Sequence, residues 1–144
     1  MKHIFLSLLQ ISIFAVCSGQ VNESQNTKDP LKDTVQVKMG QKLLFKAEVN
    51  ASKNLQFSQI ADITDSTKCV TIDLIFTEGI GTMLKIYNPF TEQMVYKAEL
   101  YSYKKKDFVV TSTVPVFPRI SSYETWPFRI ELIQLSGFKL VATK

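Results

Sequence analysis

MLKIYNPFTEQMVYKAELY, residues 83–101, contains two runs of alternating apolar and polar residues on either side of a short connection. In the second run Lys97 and Glu99 separate apolar neighbours, which is the period of two expected for a β-strand with one buried face. Pro89 fixes its own φ and cannot donate a hydrogen bond to a sheet, so it suits a turn. The stretch therefore predicts two strands joined as a β-hairpin.

The rest of the chain after Gly40 repeats this pattern in short runs separated by Gly, Pro and Asn. Further strand-like runs are Leu43–Val49, Val70–Phe76, Asp107–Val114, Phe128–Leu135 and Phe138–Ala142. Many short strands with turn residues between them are typical of sandwiches and barrels. We predict an all-β fold, an immunoglobulin-like antiparallel β-sandwich of seven or eight strands, as one domain over residues 37–144.

Between the predicted strands, RISSYETWP at residues 119–127 has the least regular pattern and is interpreted as a loop. Tyr123 and Trp126 offer large rigid faces that suit a sugar ring or a protein surface, and Glu124 and Arg119 can orient a polar ligand. These four residues form the predicted ligand site. The alternative is that Trp126 closes one end of the hydrophobic core.

The N-terminus has the pattern of a signal peptide over residues 1–19, with Lys2 before an apolar run and small residues at its end. The run is shorter than the roughly 20 residues of a membrane span. Cleavage after Gly19 and cleavage after Cys17 both fit. In a third possibility Cys17 becomes the first mature residue and is lipidated, which is the only membrane attachment we expect.

The polar residues 20–36 hold little to bury and predict a flexible tether. Together, the leader and the tether predict an exported protein that is periplasmic, outer-membrane-associated or secreted.

The composition excludes several functional classes. The only histidine is His3, so removal of the leader excludes Ser-His-Asp catalysis and histidine-containing zinc sites. The formal charge of +4 is spread among interleaved Lys, Asp and Glu, which argues against nucleic acid. Cys69 has no partner once Cys17 is removed or lipidated, so we expect it to be a buried free thiol. We expect no metal and no cofactor.

Carboxylate pairs remain available for acid–base chemistry without histidine. Asp62 and Asp65 are the closest such pair, and Glu124 is a third acid in the irregular segment. Their spacing with Thr64 and Ser66 is also that of a hydrogen-bonded turn. The sequence therefore leaves three uses for Asp62 and Asp65, which are turn formation, a loose calcium loop and catalysis.

CSGQ at residues 17–20 resembles exported proteins of Bacteroidetes-type bacteria, in which the signal peptide commonly ends just before Gln. VPVFP at 114–118, SSYETWP at 121–127 and GFKL at 137–140 are similar to segments of small bacterial envelope proteins that have no established activity. The resemblance implies export and a sandwich fold, and it carries over no catalytic residue.

These observations predict an exported, non-enzymatic binding module with a protein or glycan partner. The first alternative is a small glycan hydrolase that uses Asp62, Asp65 or Glu124. The second alternative is an inhibitor of a secreted enzyme.

Overall fold

The computed structural model describes residues 31–142, which form nine β-strands. The strands are β1 (Thr34–Lys38), β2 (Lys42–Val49), β3 (Leu55–Ile60), β4 (Cys69–Thr77), β5 (Gly81–Tyr87), β6 (Gln93–Ser102), β7 (Asp107–Thr111), β8 (Ser121–Trp126) and β9 (Leu132–Val141). Within this part of the chain, no helix has the length and apolar character needed to cross a membrane. The predicted signal peptide, Cys17 and residues 20–30 of the predicted tether lie outside the described residues.

The strands form two sheets in which all neighbours are antiparallel. The five-stranded sheet has the order β3-β2-β4-β5-β8, and the four-stranded sheet has the order β1-β9-β6-β7. Apolar residues at alternate positions of both sheets are buried between them. The predicted all-β antiparallel sandwich is therefore confirmed, with nine strands in the described residues.

Aromatic rings from both sheets meet in the core. Phe57 of the five-stranded sheet contacts Phe138 of the other sheet edge-on, with ring centroids 4.8 Å apart. Tyr96 stacks on the same Phe138 ring at 5.5 Å. Each such contact contributes about 0.5–1.5 kcal/mol beyond the burial of the rings themselves. The Phe57–Phe138 contact therefore helps to fix the position of one sheet on the other, whereas Tyr96 and Phe138 lie on neighbouring strands of the four-stranded sheet.

The hairpin predicted for residues 83–101 is wrong, because β5 and β6 lie in different sheets. The connection at 88–92 turns over the end of the sandwich around the buried Asn88 side chain. Its Nδ2 donates to the carbonyls of Glu92 at 2.9 Å and Val116 at 3.0 Å, and its Oδ1 accepts from the Phe90 amide at 2.9 Å. Alternation identifies the buried face of each strand, but it does not distinguish pairing within one sheet from packing between two.

Two further predictions at the C-terminal end are corrected. Residues 121–126 of the predicted loop form β8, an edge strand paired with β5. The two predicted final strands are the single strand β9, and residues 128–131 are not part of a strand. In β9, Gly137 and Phe138 both lie opposite Tyr96, a β-bulge that uses the positive φ of 60° at Gly137. The glycine therefore marks a bulge and not the end of a strand.

At the other end of the chain, β1 begins at Thr34, which falls inside the range predicted as tether. Val35 and Val37 of β1 are buried in the core. The strand β3 was not predicted, although its Leu55 and Phe57 are buried.

Backbone bridges close both open sides of the sandwich. On one side Lys32 exchanges two hydrogen bonds with Phe57 of β3, at 2.9 and 2.8 Å. On the opposite side Val116 exchanges two with Met94 of β6, at 2.8 and 2.9 Å. The first bridge ties the segment just before β1 to the opposite sheet.

Candidate functional site

The structure divides the predicted ligand site between two faces. Tyr123 lies on the solvent face of the five-stranded sheet and is 53% exposed, whereas Glu124 and Trp126 are half-buried and face the other sheet. Arg119 is exposed in the turn before β8, with a positive φ of 61°. Adjacent residues of a strand point to opposite faces. The four residues therefore do not form one binding surface.

Glu124 links the two sheets through a buried tyrosine. The Tyr96 hydroxyl donates to Glu124 Oε1 at 2.6 Å, and the backbone amide of Val114 donates to the same oxygen at 2.9 Å. Burial raises the pKa of Tyr96 well above its ordinary value, and its hydrogen bond and charge interaction with Glu124 raise it further. This arrangement holds β8 against the four-stranded sheet.

Trp126 is packed against the core, which supports the alternative interpretation of its role. Its indole Nε1 lies 3.4 Å from Thr111 Oγ1 on β7, at the long end of the hydrogen-bond range. Trp126 therefore covers the core between the edge strands β7 and β8.

Tyr123 has a charged neighbour on the outer face of its sheet. Lys85 of β5 is its cross-strand partner, and the Lys85 Nζ lies 5.7 Å from the centre of the Tyr123 ring. At an exposed position such a cation–π contact contributes about 0.5–1 kcal/mol. The contact stabilises the pairing of β5 with the edge strand.

The candidate acids do not converge. Asp65 Oδ1 accepts hydrogen bonds from the Thr67 hydroxyl at 2.6 Å and the Thr67 amide at 3.0 Å. These bonds lower the pKa of Asp65, the side-chain bond most. Asp62 and Asp65 are exposed between β3 and β4, while Glu124 faces the space between the sheets. Two strand spacings, about 10 Å, separate β4 from β8. Asp65 therefore has the predicted turn role.

An aromatic patch on the outer face of the four-stranded sheet was not predicted. It consists of Tyr101, Tyr103 and Phe108, with Tyr101 edge-on to Tyr103 at 5.0 Å and to Phe108 at 5.3 Å. Tyr103 is 65% exposed, and Tyr101 and Phe108 are half-buried. The sequence signal was Tyr101 and Tyr103, two residues apart just before the Lys104–Lys106 turn, with Phe108 following soon after it.

A groove of 350 Å³ adjoins the patch at the end of the sandwich that carries the β4–β5 and β6–β7 turns. Its lining residues are Leu100–Tyr103, Val109 and Phe128–Glu131. Phe128 is 54% exposed there. Arg129 is held by an ion pair with Glu131, and its guanidinium lies 5.4 Å from the centre of the Phe76 ring. The groove therefore extends the aromatic surface and adds a charged pair.

A row of hydrogen-bonded polar side chains crosses the same sheet face next to the patch. Gln36 Nε2 donates to Gln134 Oε1 at 3.0 Å, and Gln134 Nε2 donates to Glu99 Oε2 at 2.9 Å. We call these three residues the amide ladder. Register places them as direct neighbours on β1, β9 and β6. The ladder therefore presents fixed polar groups across three strands.

Cys69 is buried with a free thiol, as predicted. Burial raises the pKa of this thiol, which reduces the fraction present as the reactive thiolate. Within residues 31–142, no three His, Cys, Asp or Glu side chains lie close enough together to hold a metal ion.

No protein-family model matches the chain, and comparisons with curated proteins and with solved structures give no significant match.

Proposed function

We propose that the protein is a non-enzymatic binding module that holds its partner on the aromatic patch of the four-stranded sheet. The observation that carries the proposal is the patch itself, because the Tyr101 ring contacts both Tyr103 and Phe108 while Tyr103 remains 65% exposed. Aromatic side chains supply large rigid contact area at little entropic cost and are enriched at binding hot spots.

The geometry supports binding over glycan hydrolysis. A glycosidase needs two carboxyl groups about 5–9.5 Å apart across the scissile bond. Glu124 is engaged by Tyr96 and the Val114 amide, Asp65 is engaged by Thr67, and both Asp62 and Asp65 lie in the exposed connection between β3 and β4. An enzyme inhibitor would be a special case of the binding module, with an enzyme as its partner.

The proposal includes export, which rests on the leader pattern of residues 1–19. The intact mass of the protein from its native host tests this part. Loss of residues 1–19, or a diacylglycerol-type addition on Cys17, is expected. A mass that retains the whole leader would overturn export.

The binding site is tested with the mature chain from Gln20, using a glycan array and an envelope lysate as sources of partners. Tyr103→Ala is expected to lower the affinity for the retained partner at least tenfold, which corresponds to about 1.4 kcal/mol of binding free energy. Phe117→Ala removes another exposed aromatic ring, outside the patch, and serves as the matched control. If Tyr123→Ala abolishes partner binding and Tyr103→Ala does not, the binding site lies on β8 and not on the aromatic patch. Hydrolytic turnover without a retained partner would overturn the proposal.

A further inference from the structure

We infer that the ligand of the four-stranded sheet is a neutral polysaccharide chain, which stacks on the aromatic patch and hydrogen-bonds through its hydroxyls to the amide ladder. This inference rests on the proposed binding function and adds the chemical class of the ligand. It also adds Gln36, Gln134 and Glu99 as binding residues.

The strand register makes the patch and the ladder one surface. Tyr101 and Phe108 are direct cross-strand partners on β6 and β7. Glu99 precedes Tyr101 by two residues on the same face of β6, so the two rows lie about 7 Å apart. A chain lying across the sheet can therefore contact aromatic rings in one row and polar groups in the next.

The centre of this surface has no free hydrogen-bonding edge, because only Phe108 and Gln36 lie on the edge strands β7 and β1. β9 and β6 are the two central strands of the sheet, and each is paired on both sides. An extended peptide is usually bound by adding a strand to an exposed edge, which uses main-chain hydrogen bonds. A ligand on the central strands must be recognised by side chains alone, which favours a molecule rich in its own hydroxyl groups.

The amide ladder is preorganised for hydroxyl groups. Gln134 accepts from Gln36 and donates to Glu99, so both of its amide atoms are held in position. The outer atoms, Gln36 Oε1 and Glu99 Oε1, remain for a ligand. A sugar hydroxyl can donate to either oxygen, and holding the side chains beforehand reduces the entropy lost on binding.

Within the ladder itself, the charge of Glu99 disfavours an acidic group. Glu99 offers only acceptor oxygens when ionised, so a carboxylate or sulfate placed beside it meets a like charge. The aromatic rings provide apolar faces for the C–H groups of a sugar ring. A neutral chain therefore satisfies both rows, whereas an acidic chain would have to place its charges on the surrounding Lys97 and Lys104–Lys106 and away from Glu99.

The test measures binding of the mature chain to dextran, yeast mannan, galactomannan and barley β-glucan, with alginate and heparin as acidic probes. Binding to at least one neutral polysaccharide is expected. Gln134→Ala and Tyr103→Ala are each expected to weaken that binding at least tenfold. The matched controls are Gln56→Ala, at an exposed glutamine on the five-stranded sheet, and Phe117→Ala; both are expected to bind as the unchanged protein does. Thermal unfolding of each variant identifies any that fail to fold.

The outcomes separate this inference from the proposed function. If the protein binds only alginate or heparin, and high salt abolishes that binding, the ligand is acidic and the inference of a neutral polysaccharide is wrong. If a neutral polysaccharide still binds to both Gln134→Ala and Tyr103→Ala, the proposed location of the site is wrong. Retention of a protein partner that depends on Tyr103, with no polysaccharide bound, would overturn the inference and leave the proposed function standing. Absence of any retained partner would overturn both.

Discussion

Tyr96 shows how one buried polar group joins the two sheets. Its hydroxyl donates to Glu124 across the interior, and burial and this hydrogen bond both raise the pKa of the phenol. Ionisation of this hydroxyl is therefore disfavoured in the folded protein. The sequence placed Tyr96 on the buried face of its strand, but its partner is 28 residues away on a strand that was predicted to be a loop.

The raised pKa of Tyr96 predicts a loss of stability at alkaline pH. An unfolded tyrosine ionises near pH 10, whereas folded Tyr96 keeps its proton to higher pH. The unfolded state therefore loses its proton first, so this stabilisation is complete below about pH 10 and declines as pH rises further. In Tyr96→Phe, the decline should be shallower by about 1.4 kcal/mol per pH unit above pH 10.

Urea unfolding of the unchanged protein and of Tyr96→Phe between about pH 8 and about pH 11.5 checks this expectation, because the difference between the two curves isolates Tyr96. At neutral pH the variant should also be less stable by about 1.5–3 kcal/mol, because it loses a hydrogen bond to a carboxylate. Two stability curves that remain parallel above pH 10 would contradict the ionisation argument.

The strands illustrate what alternation can and cannot reveal. Predicted runs at β2, β4, β5 and β6 all form strands, because a half-buried strand needs an apolar residue at every second position. Strand pairing depends on residues distant in sequence, so the β5–β6 connection was misassigned. β8 was missed because its inward positions hold Ser122, Glu124 and Trp126, which do not form an apolar stripe.

The candidate site also depends on strand geometry. The sequence indicated that aromatic residues bind the ligand, but the site was predicted at Tyr123 and Trp126 because these residues lie in one short segment. Strand geometry places these two side chains on opposite faces of the sheet. The aromatic patch, by contrast, combines β6 and β7 with their turn, and the amide ladder combines three strands. The amide ladder could not be inferred without the strand register.

The β4–β5 turn supplies a test of how closely β8 approaches its neighbour. Gly79 and Gly81 both have positive φ, but a Cβ built on Gly81 would lie 2.1 Å from the Trp126 carbonyl oxygen. A Cβ on Gly79 meets nothing within 4 Å. We expect Gly79→Ala to cost about 1–2 kcal/mol from backbone strain alone. Gly81→Ala should cost at least about 3 kcal/mol, because the end of β8 must also move.

Chemical denaturation of these two glycine variants provides the comparison, and circular dichroism confirms that each retains its β-structure. Both variants replace a glycine of positive φ with alanine, two residues apart, so the difference between their losses of stability reports the close approach of β8. Equal destabilisation by both substitutions would show that the backbone of β8 yields without cost at this point.

The whole sandwich depends on chain segments that cross between its sheets. Val116 bridges to β6 on one side, and Lys32 bridges to β3 on the other. Each bridge covers part of an edge whose backbone groups would otherwise be open to another chain. Lys32 lies inside the range predicted as tether, so the N-terminal boundary of the folded domain can be tested by truncation.

Two truncations test this boundary. A chain beginning at Leu31 keeps both hydrogen bonds between Lys32 and Phe57, and a chain beginning at Thr34 loses both while retaining β1. Each net backbone hydrogen bond contributes about 0.5–1.5 kcal/mol, so the shorter chain should be less stable by about 1–3 kcal/mol. It should also self-associate more readily, because the edge of β3 beside the buried Phe57 is uncovered. Urea unfolding measures the first effect, and light scattering at increasing concentration measures the second. Equal stability and equal scattering would mean that the bridge adds nothing and that the folded domain begins with β1.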